Sequence, residues 1–362
     1  MTTDVGRAGA RPPLLEARGL TRHFKVGGAI ARKTLHAVDD VSFTIGEREI
    51  VALVGESGSG KSTVARLLAR VYKPTAGEIY YQGQPLSRLR SRRDLLAYRS
   101  DVPMVFQDPF ASLNPAFRVS HGIIRGFALH RPDVPREERR AEAERIVAQL
   151  GLDSAGEVLD RYPYELSGGQ RQRIGFAQAL VYRPKLIVAD EPVSMLDVSI
   201  RIGLLNLMTE LRDERGVSLL YITHDIASAR YVADRIMVMY AGHLVETGPV
   251  EQVLQKPQHP YTRLLLDAVP DPRAPLAVDE SADSGEPPRV VDPEPGCPFR
   301  WRCPIAVDVC SRLTPELVEL APRHAAACHE AVSDAGLGDV AVAGTSAGPP
   351  PPARRPPPSS SG

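Results

Sequence analysis

Residues 55–63 read Gly-Glu-Ser-Gly-Ser-Gly-Lys-Ser-Thr, and this stretch constrains the rest of the chain more than any other. The apolar run Ile50-Val51-Ala52-Leu53-Val54 enters it and Val64-Ala65-Arg66-Leu67-Leu68 leaves it, which predicts strand, glycine-rich turn and helix in that order. Glycine at 55, 58 and 60 lets the backbone turn its N–H groups inward with no side chain in the way. Those groups and the first turn of the following helix then surround an anion. The cradle comprises Gly55, Glu56, Ser57, Gly58, Ser59, Gly60, Lys61, Ser62 and Thr63. Lys61 would reach the β- and γ-phosphates of a nucleoside triphosphate, and Ser62 would offer its hydroxyl to Mg²⁺.

At 362 residues the chain can build an α/β core of more than one subdomain and still carry an appendage. Its 44 basic residues balance 44 acidic ones, so no whole-protein charge argues for a nucleic-acid partner and none is expected. No run approaches the ~18 consecutive apolar residues of a membrane span, and Met1 to Pro13 lacks the apolar core of a signal peptide. The expectation is a soluble intracellular protein that meets a membrane only through a partner.

Residues 1–13 carry no periodicity and are expected to be disordered. Leu20 to Phe24 and Val38 to Ile45 read as strands, and Phe24 is one aromatic that could either stack on an adenine or serve as core. Gly77 to Leu86 reads as a hairpin and Val102 to Phe106 as a short strand ending at Gln107. A helical stretch follows, with Val119, Ile123, Ile124 and Phe127 on one face and then Ile146, Val147 and Leu150 before Gly151. It reads as a helical subdomain, about 108–180, inserted in an α/β domain spanning 14–270. Leu186 to Ala189, Ser218 to Ile222 and Ile236 to Met239 resume the strands, separated by the helical stripe Leu204, Leu207, Met208 and Leu211 that Gly216 stops. A Pro/Asp/Glu/Ser linker is expected over 271–295, a cysteine-bearing segment over 296–332 and a disordered Pro/Ser-rich tail over 333–362.

Three further features point at the same ligand. Asp190 and Glu191 stand at the end of a strand, where parallel sheets bind ligands; Asp190 would hold Mg²⁺ and Glu191 would polarise the attacking water. Gln107 and His224 each follow a short strand, so the glutamine can bind Mg²⁺ or that water and the histidine can hydrogen-bond the γ-phosphate. Ser167-Gly168-Gly169-Gln170 is a second glycine turn opening a second helix. A helix of about twelve residues is roughly 18 Å long and leads away from that turn, which sets Ser167 far from the Mg²⁺ site of its own chain. A second anion-binding helix start with no ligand of its own implies a head-to-tail dimer, ATP lying between one chain's phosphate loop and the partner chain's copy of this turn.

With these elements in this order, the chain resembles an ATP-binding-cassette ATPase over residues 14–270. The resemblance implies a P-loop cassette: a RecA-like parallel sheet core, an N-terminal antiparallel β subdomain and an inserted helical subdomain. It also implies that Phe24 packs on adenine, that Gln107 couples the site to a transmembrane partner, that Glu191 is the catalytic base and that His224 is a switch histidine. The loop Ser194-Met195-Leu196-Asp197 would link the two sites, and Met195 departs from the small residue usual there. Three stretches resemble the oligopeptide and dipeptide importer branch: Phe106 to Pro109 running into Ser112 to Pro115, Asp190 to Ser194 with Asp197 to Ser199, and His259 to Arg263. That branch implies a second cassette subunit, two membrane permease subunits, an extracytoplasmic solute-binding protein and a peripheral position on the cytoplasmic face of the membrane. Nickel and oligosaccharides are cargoes of the same branch.

Cys297, Cys303, Cys310 and Cys328 are the only cysteines, and His324 and His329 flank the last. Four thiolates can complete a zinc site or hold a [4Fe–4S] cluster, and the common C-x₂-C pair of a zinc ribbon is missing. A similar four-cysteine pattern in this importer branch is associated with an iron–sulfur cluster. Cluster, zinc and free structural thiols stay open.

Overall fold

The computed structural model describes residues 12–27, 33–107, 113–194, 196–268 and 290–336. The expectations for residues 1–11, for Asp108, Pro109, Ser112 and Met195, for most of the linker and for the tail past 336 lie outside the described residues.

The chain opens with two long antiparallel strands, β1 (Leu15–Val26) and β2 (Lys33–Ile45). Both are longer than their alternation predicts, because irregularities at Ala17/Leu20, Leu20/Arg22 and Arg22/His23 break the period of two that a pattern search relies on. The apolar run at 50 becomes β3 (Ile50–Val54), the phosphate loop follows, and α1 (Lys61–Leu68) leaves it. Two further strands, β4 (Ala76–Tyr81) and β5 (Gln84–Pro85), form the expected hairpin and pair back onto β1, giving the antiparallel order β2-β1-β4-β5. Helix α2 (Arg92–Asp101) was not legible beforehand: RRDLLAYRSD buries only Tyr98. That ring donates to the Leu68 carbonyl at 2.6 Å and so pins α2 beneath α1.

After β6 (Met104–Val105) comes the helical layer, α3 (Val119–His130), α4 (Arg139–Gln149) and α5 (Ala155–Asp160), packed against α6 (Gly168–Leu180). On α3 the expected stripe is right at Val119, Ile123 and Phe127, which are buried, while Ile124 is half-buried. Strand and helix then alternate through β7 (Leu186–Asp190), α7 (Val198–Arg215), β8 (Ser218–Thr223), α8 (Ile226–Val232) and β9 (Arg235–Tyr240). Helix α7 ends where expected, at Gly216, whose φ of 67° is left-handed.

Strands β6, β7, β8, β3 and β9 lie side by side and parallel. Every residue of β3, β7 and β8 is buried, as the unbroken apolar runs require. Their alternate residues feed two separate cores. Ile50, Ala52, Val54, Ile187, Ala189, Leu219 and Tyr221 face the helical layer. Val51, Leu53, Leu186, Val188, Leu220 and Ile222 face α1 and the antiparallel sheet. This sandwich fixes the carboxyl ends of the parallel strands at one edge, where the phosphate loop begins.

Beyond β9 the sheet departs from the parallel pattern. It turns back through β10 (His243–Pro249), and after α9 (Val250–Gln255) and α10 (Pro260–Asp267) it is extended antiparallel by β11 (Val318–Ala321) and β12 (His324–Ala326) from the cysteine segment. The last helix, α11 (His329–Asp334), runs past residue 333, where order was expected to end. The end of the expected linker is also engaged: Val291 bridges Leu35, and the Asp292 carboxylate accepts from the Thr34 N–H at 2.8 Å.

Candidate active site

Gly60 shows why the loop's composition is what it is. Its φ is 107°, and a Cβ there would stand 2.2 Å from the Ala37 carbonyl oxygen. Only a residue without a side chain lets the loop pass that close to β2. Lys61 follows as the first residue of α1, 4% exposed, and its Nζ donates to the Gly55 and Glu56 carbonyls at 2.7 and 2.8 Å. Burial pulls its pKa down, opposed by the charges of Glu191, Asp190 and Glu56. Ser62 Oγ donates to Asp190 Oδ1 at 3.1 Å. Two residues chosen for one Mg²⁺ from positions 128 apart therefore meet. Asp190 is 5% exposed, and burial raises its pKa, with the Glu191 charge adding to the effect and the Ser62 hydrogen bond opposing it.

Glu191, the residue immediately after β7, adopts a positive φ of 46° while its N–H donates to the Ile222 carbonyl of β8. Strain of this kind at a strand end is stored where a side chain must be aimed. Its Oε2 accepts from Gln107 Nε2 at 3.0 Å and lies 3.3 Å from His224 Nδ1. Gln107, Glu191 and His224 thus converge at the ends of β6, β7 and β8. Lys61, Ser62, Asp190, Glu191, Gln107 and His224 form one continuous polar edge.

Two further groups of expected residues make contacts of their own. Phe24 carries the Arg22 guanidinium 4.5 Å from its ring centroid and meets Tyr72 edge-on at 5.4 Å. One face of the ring is therefore covered by a cation, and adenine would stack on the other face or displace Arg22. Ser167 Oγ accepts from the Gln170 N–H at 3.2 Å, and Gln170 Oε1 accepts from the Ser167 N–H at 3.0 Å, a reciprocal cap on α6. The thirteen-residue helix that they open is about 20 Å long. Gly168 lies against Leu196 in the loop before α7 and Gly169 against α7 itself: a Cβ on Gly169 would come 2.3 Å from Ile200 Cγ2, so an added side chain would have to push the two helices apart.

The pattern described as ABC transporter matches residues 38–194, and that described as the oligopeptide/dipeptide transporter C-terminal region matches residues 245–310. The oligopeptide transport ATP-binding protein AppF of Bacillus subtilis is 43% identical over 321 residues, spanning 87% of this chain and 97% of its own length. OppF of Escherichia coli, bearing the same description, is 42% identical over 325 residues, spanning 88% of this chain and 96% of its own. The chain belongs to the ABC transporter ATPase family. A solved cassette, MJ0796 in a dimeric post-hydrolysis state with ADP and Pi, aligns with TM-score 0.58 and 29% identity over 65% of this chain and 98% of that one. The fold is thus that of an ABC cassette, and the chain is an ATPase.

The ABC cassette carries an extension that the phosphate loop touches directly, and here sequence reasoning missed two residues. Tyr261, fully buried on α10, accepts the Glu56 N–H on its hydroxyl at 2.8 Å. Arg302, between two of the cysteines, donates to both oxygens of Glu56 at 2.9 and 3.0 Å. Arg302 is separated from its partner by 246 positions, so no local spacing signals it.

None of the four cysteines is in a disulfide. Burial pushes Cys297 up to about 11, with smaller increments from the other three thiols, and burial also raises Cys303 and Cys328. Among the described residues no three cysteine sulfurs lie within 4.8 Å of one another. A single tetrahedral zinc at a Zn–S distance of about 2.3 Å would draw them to about 3.8 Å. The flanking histidines are engaged elsewhere: His324 Nε2 pairs with buried Glu246 at 2.7 Å and His329 Nε2 with the Leu313 carbonyl at 3.0 Å.

Proposed function

We propose that this ABC ATPase powers uptake of oligopeptides or dipeptides, working as a dimer of cassettes on two membrane permease subunits fed by an extracytoplasmic solute-binding protein. The observation that carries the cargo class is the match of residues 245–310 to the oligopeptide/dipeptide C-terminal region, together with relatives described as oligopeptide transport proteins. No helix among the described residues is long and apolar enough to cross a bilayer. In this reading the permease subunits bring the cassette to the membrane.

In this reading the loop N–H groups and Lys61 hold the triphosphate, and Ser62, Asp190 and Gln107 would hold Mg²⁺. When bound, that ion neutralises charge on the β- and γ-phosphates. Glu191 accepts the proton of the attacking water, and Gln107 and His224, both within hydrogen-bonding range of its carboxylate, keep it aimed at the γ-phosphate. Phe24 supports the adenine. Ser167, Gly168, Gly169 and Gln170 of the partner chain close the other side of the nucleotide.

The four cysteines, close enough that each of the other three acts on the Cys297 thiol, could supply the four thiolates of an iron–sulfur cluster. A cluster there would cross-link the cysteine segment covalently. An ultraviolet–visible spectrum of anaerobically purified protein showing only thiol absorbance would remove the cluster.

Affinity purification of the full chain from its own membranes tests the transport reading. Recovery of permease subunits, with loss of peptide uptake in a strain lacking the chain, is expected. Recovery of ribosomes or DNA in their place would refute it in favour of a soluble cassette.

A further inference from the structure

Glu56 presents an oddity. It places a carboxylate on the second position of a loop whose ligand is a polyanion, where an unpaired negative charge opposes binding. The carboxylate is not free: both oxygens are taken by the Arg302 guanidinium, and the pair is largely buried, with side chains 23% and 14% exposed. The guanidinium rests 5.8 Å from the Tyr240 ring centroid, and Phe299 packs edge-on against Tyr240 at 5.1 Å and near Tyr261 at 5.6 Å. Tyr261 in turn holds the Glu56 backbone N–H. The Arg302 N–H donates to the Phe299 carbonyl, closing the turn that immediately precedes Cys303. One residue of the phosphate loop is therefore gripped at its side chain and its backbone by groups that come from outside the nucleotide-binding core.

We infer that Arg302 is a positioning residue of the ATP site: by neutralising Glu56 and fixing its direction, it keeps that carboxylate from repelling the triphosphate and makes the cysteine segment part of the nucleotide-binding apparatus. The inference rests on ATP occupying the 55–63 loop and extends it to a residue that touches no phosphate. Because Cys303 follows Arg302 directly, whatever holds that thiol also holds the guanidinium's anchor.

The charge logic makes opposite forecasts for the two partners. In the full-length protein, Arg302→Ala leaves Glu56 unpaired, so ATP affinity by calorimetry should fall about tenfold and the KM for ATP should rise with a smaller change in kcat. Glu56→Gln keeps the loop's backbone N–H, removes the carboxylate and leaves the Arg302 charge facing the loop, so ATP should bind more tightly than in wild type. The double variant Glu56→Gln/Arg302→Ala should return to within about threefold of wild type, and Arg302→Lys should lie closer to wild type than Arg302→Ala. If the double variant binds ATP as poorly as Arg302→Ala, or if Glu56→Gln alone weakens binding, the guanidinium acts as a mechanical prop and the inference is overturned. A wild-type protein whose ATP affinity did not change on Lys61→Ala would overturn the loop assignment itself, a result distinct from either.

Discussion

Glu191 bears the heaviest demand placed on a single residue here: a left-handed backbone at the end of a buried strand and a carboxylate shared with Gln107 and His224. Glu191→Gln keeps the shape and removes the proposed base. ATP binding should persist while turnover falls by at least about a hundredfold; turnover within threefold of wild type would take Glu191 out of that role. His259 supplies a different forecast. It is 2% exposed, and burial lowers its pKa from 6.5 to about 4, with Glu246 opposing that shift and Arg263 reinforcing it. Its Nδ1 accepts the Tyr261 N–H at 3.0 Å, which only the neutral ring can do. Between pH 6.5 and 4 the unfolded chain therefore takes up a proton that the folded chain refuses. This contribution to stability is complete above the upper value and lost as pH falls, to a total of about 3 kcal/mol. Urea midpoints at pH 7 and pH 5 should differ less in His259→Asn than in wild type, and equal pH dependence would contradict the assignment. The candidate catalytic residues were readable as candidates because each sits beside a short apolar run or in a glycine turn. Tyr261 lies in the stretch His259 to Arg263, whose sequence assigns it no role, and Arg302 carries no signal at all, since a charge pair spanning two segments leaves no periodicity.

Among the elements, the strands of the parallel sheet were legible from their apolar runs, and α7 from its stripe and terminal glycine. Helix α2 was not, because a helix resting on one tyrosine reads as a polar loop. Strands β11 and β12 were hidden for a related reason: Val318–Ala321 and His324–Ala326 are too short to show alternation, and β12, which carries β11, finds its own partner far back in the chain on β10. The junction of α6 with α7 offers a sharp test. Gly169→Ala would push α6 off Ile200, displacing Ser167 while leaving Lys61 and Asp190 untouched. ATP affinity of the isolated subunit should stay within about twofold, and ATPase activity should fall at least tenfold. Activity unchanged by the added methyl would show that the spacing of these helices does not matter to the reaction.

For the whole molecule, the reciprocal cap of Ser167 and Gln170 stands on the helical layer, while the phosphate-binding groups stand on the sheet edge. Ser167→Ala should therefore impair the site formed by the partner's phosphate loop. In mixed dimers carrying Ser167→Ala on one chain and Lys61→Ala on the other, the two lesions fall in the same site and the second site stays intact, so roughly half of wild-type activity is expected if the sites act independently. Placing both substitutions on one chain damages both sites and should leave much less. The reverse ranking would refute a shared site.

The sheet is completed out of chain order: β12 lies along β10, and a buried Glu246 receives the N–H groups of Gln258 and His259 and the His324 ring. Ribosomal synthesis delivers β10 about eighty residues before its neighbour. During that interval the rim of the nascent cassette is an open template for pairing with another chain. Products that stop short of Ala326 should therefore aggregate even though every group that handles ATP in the core has already been made.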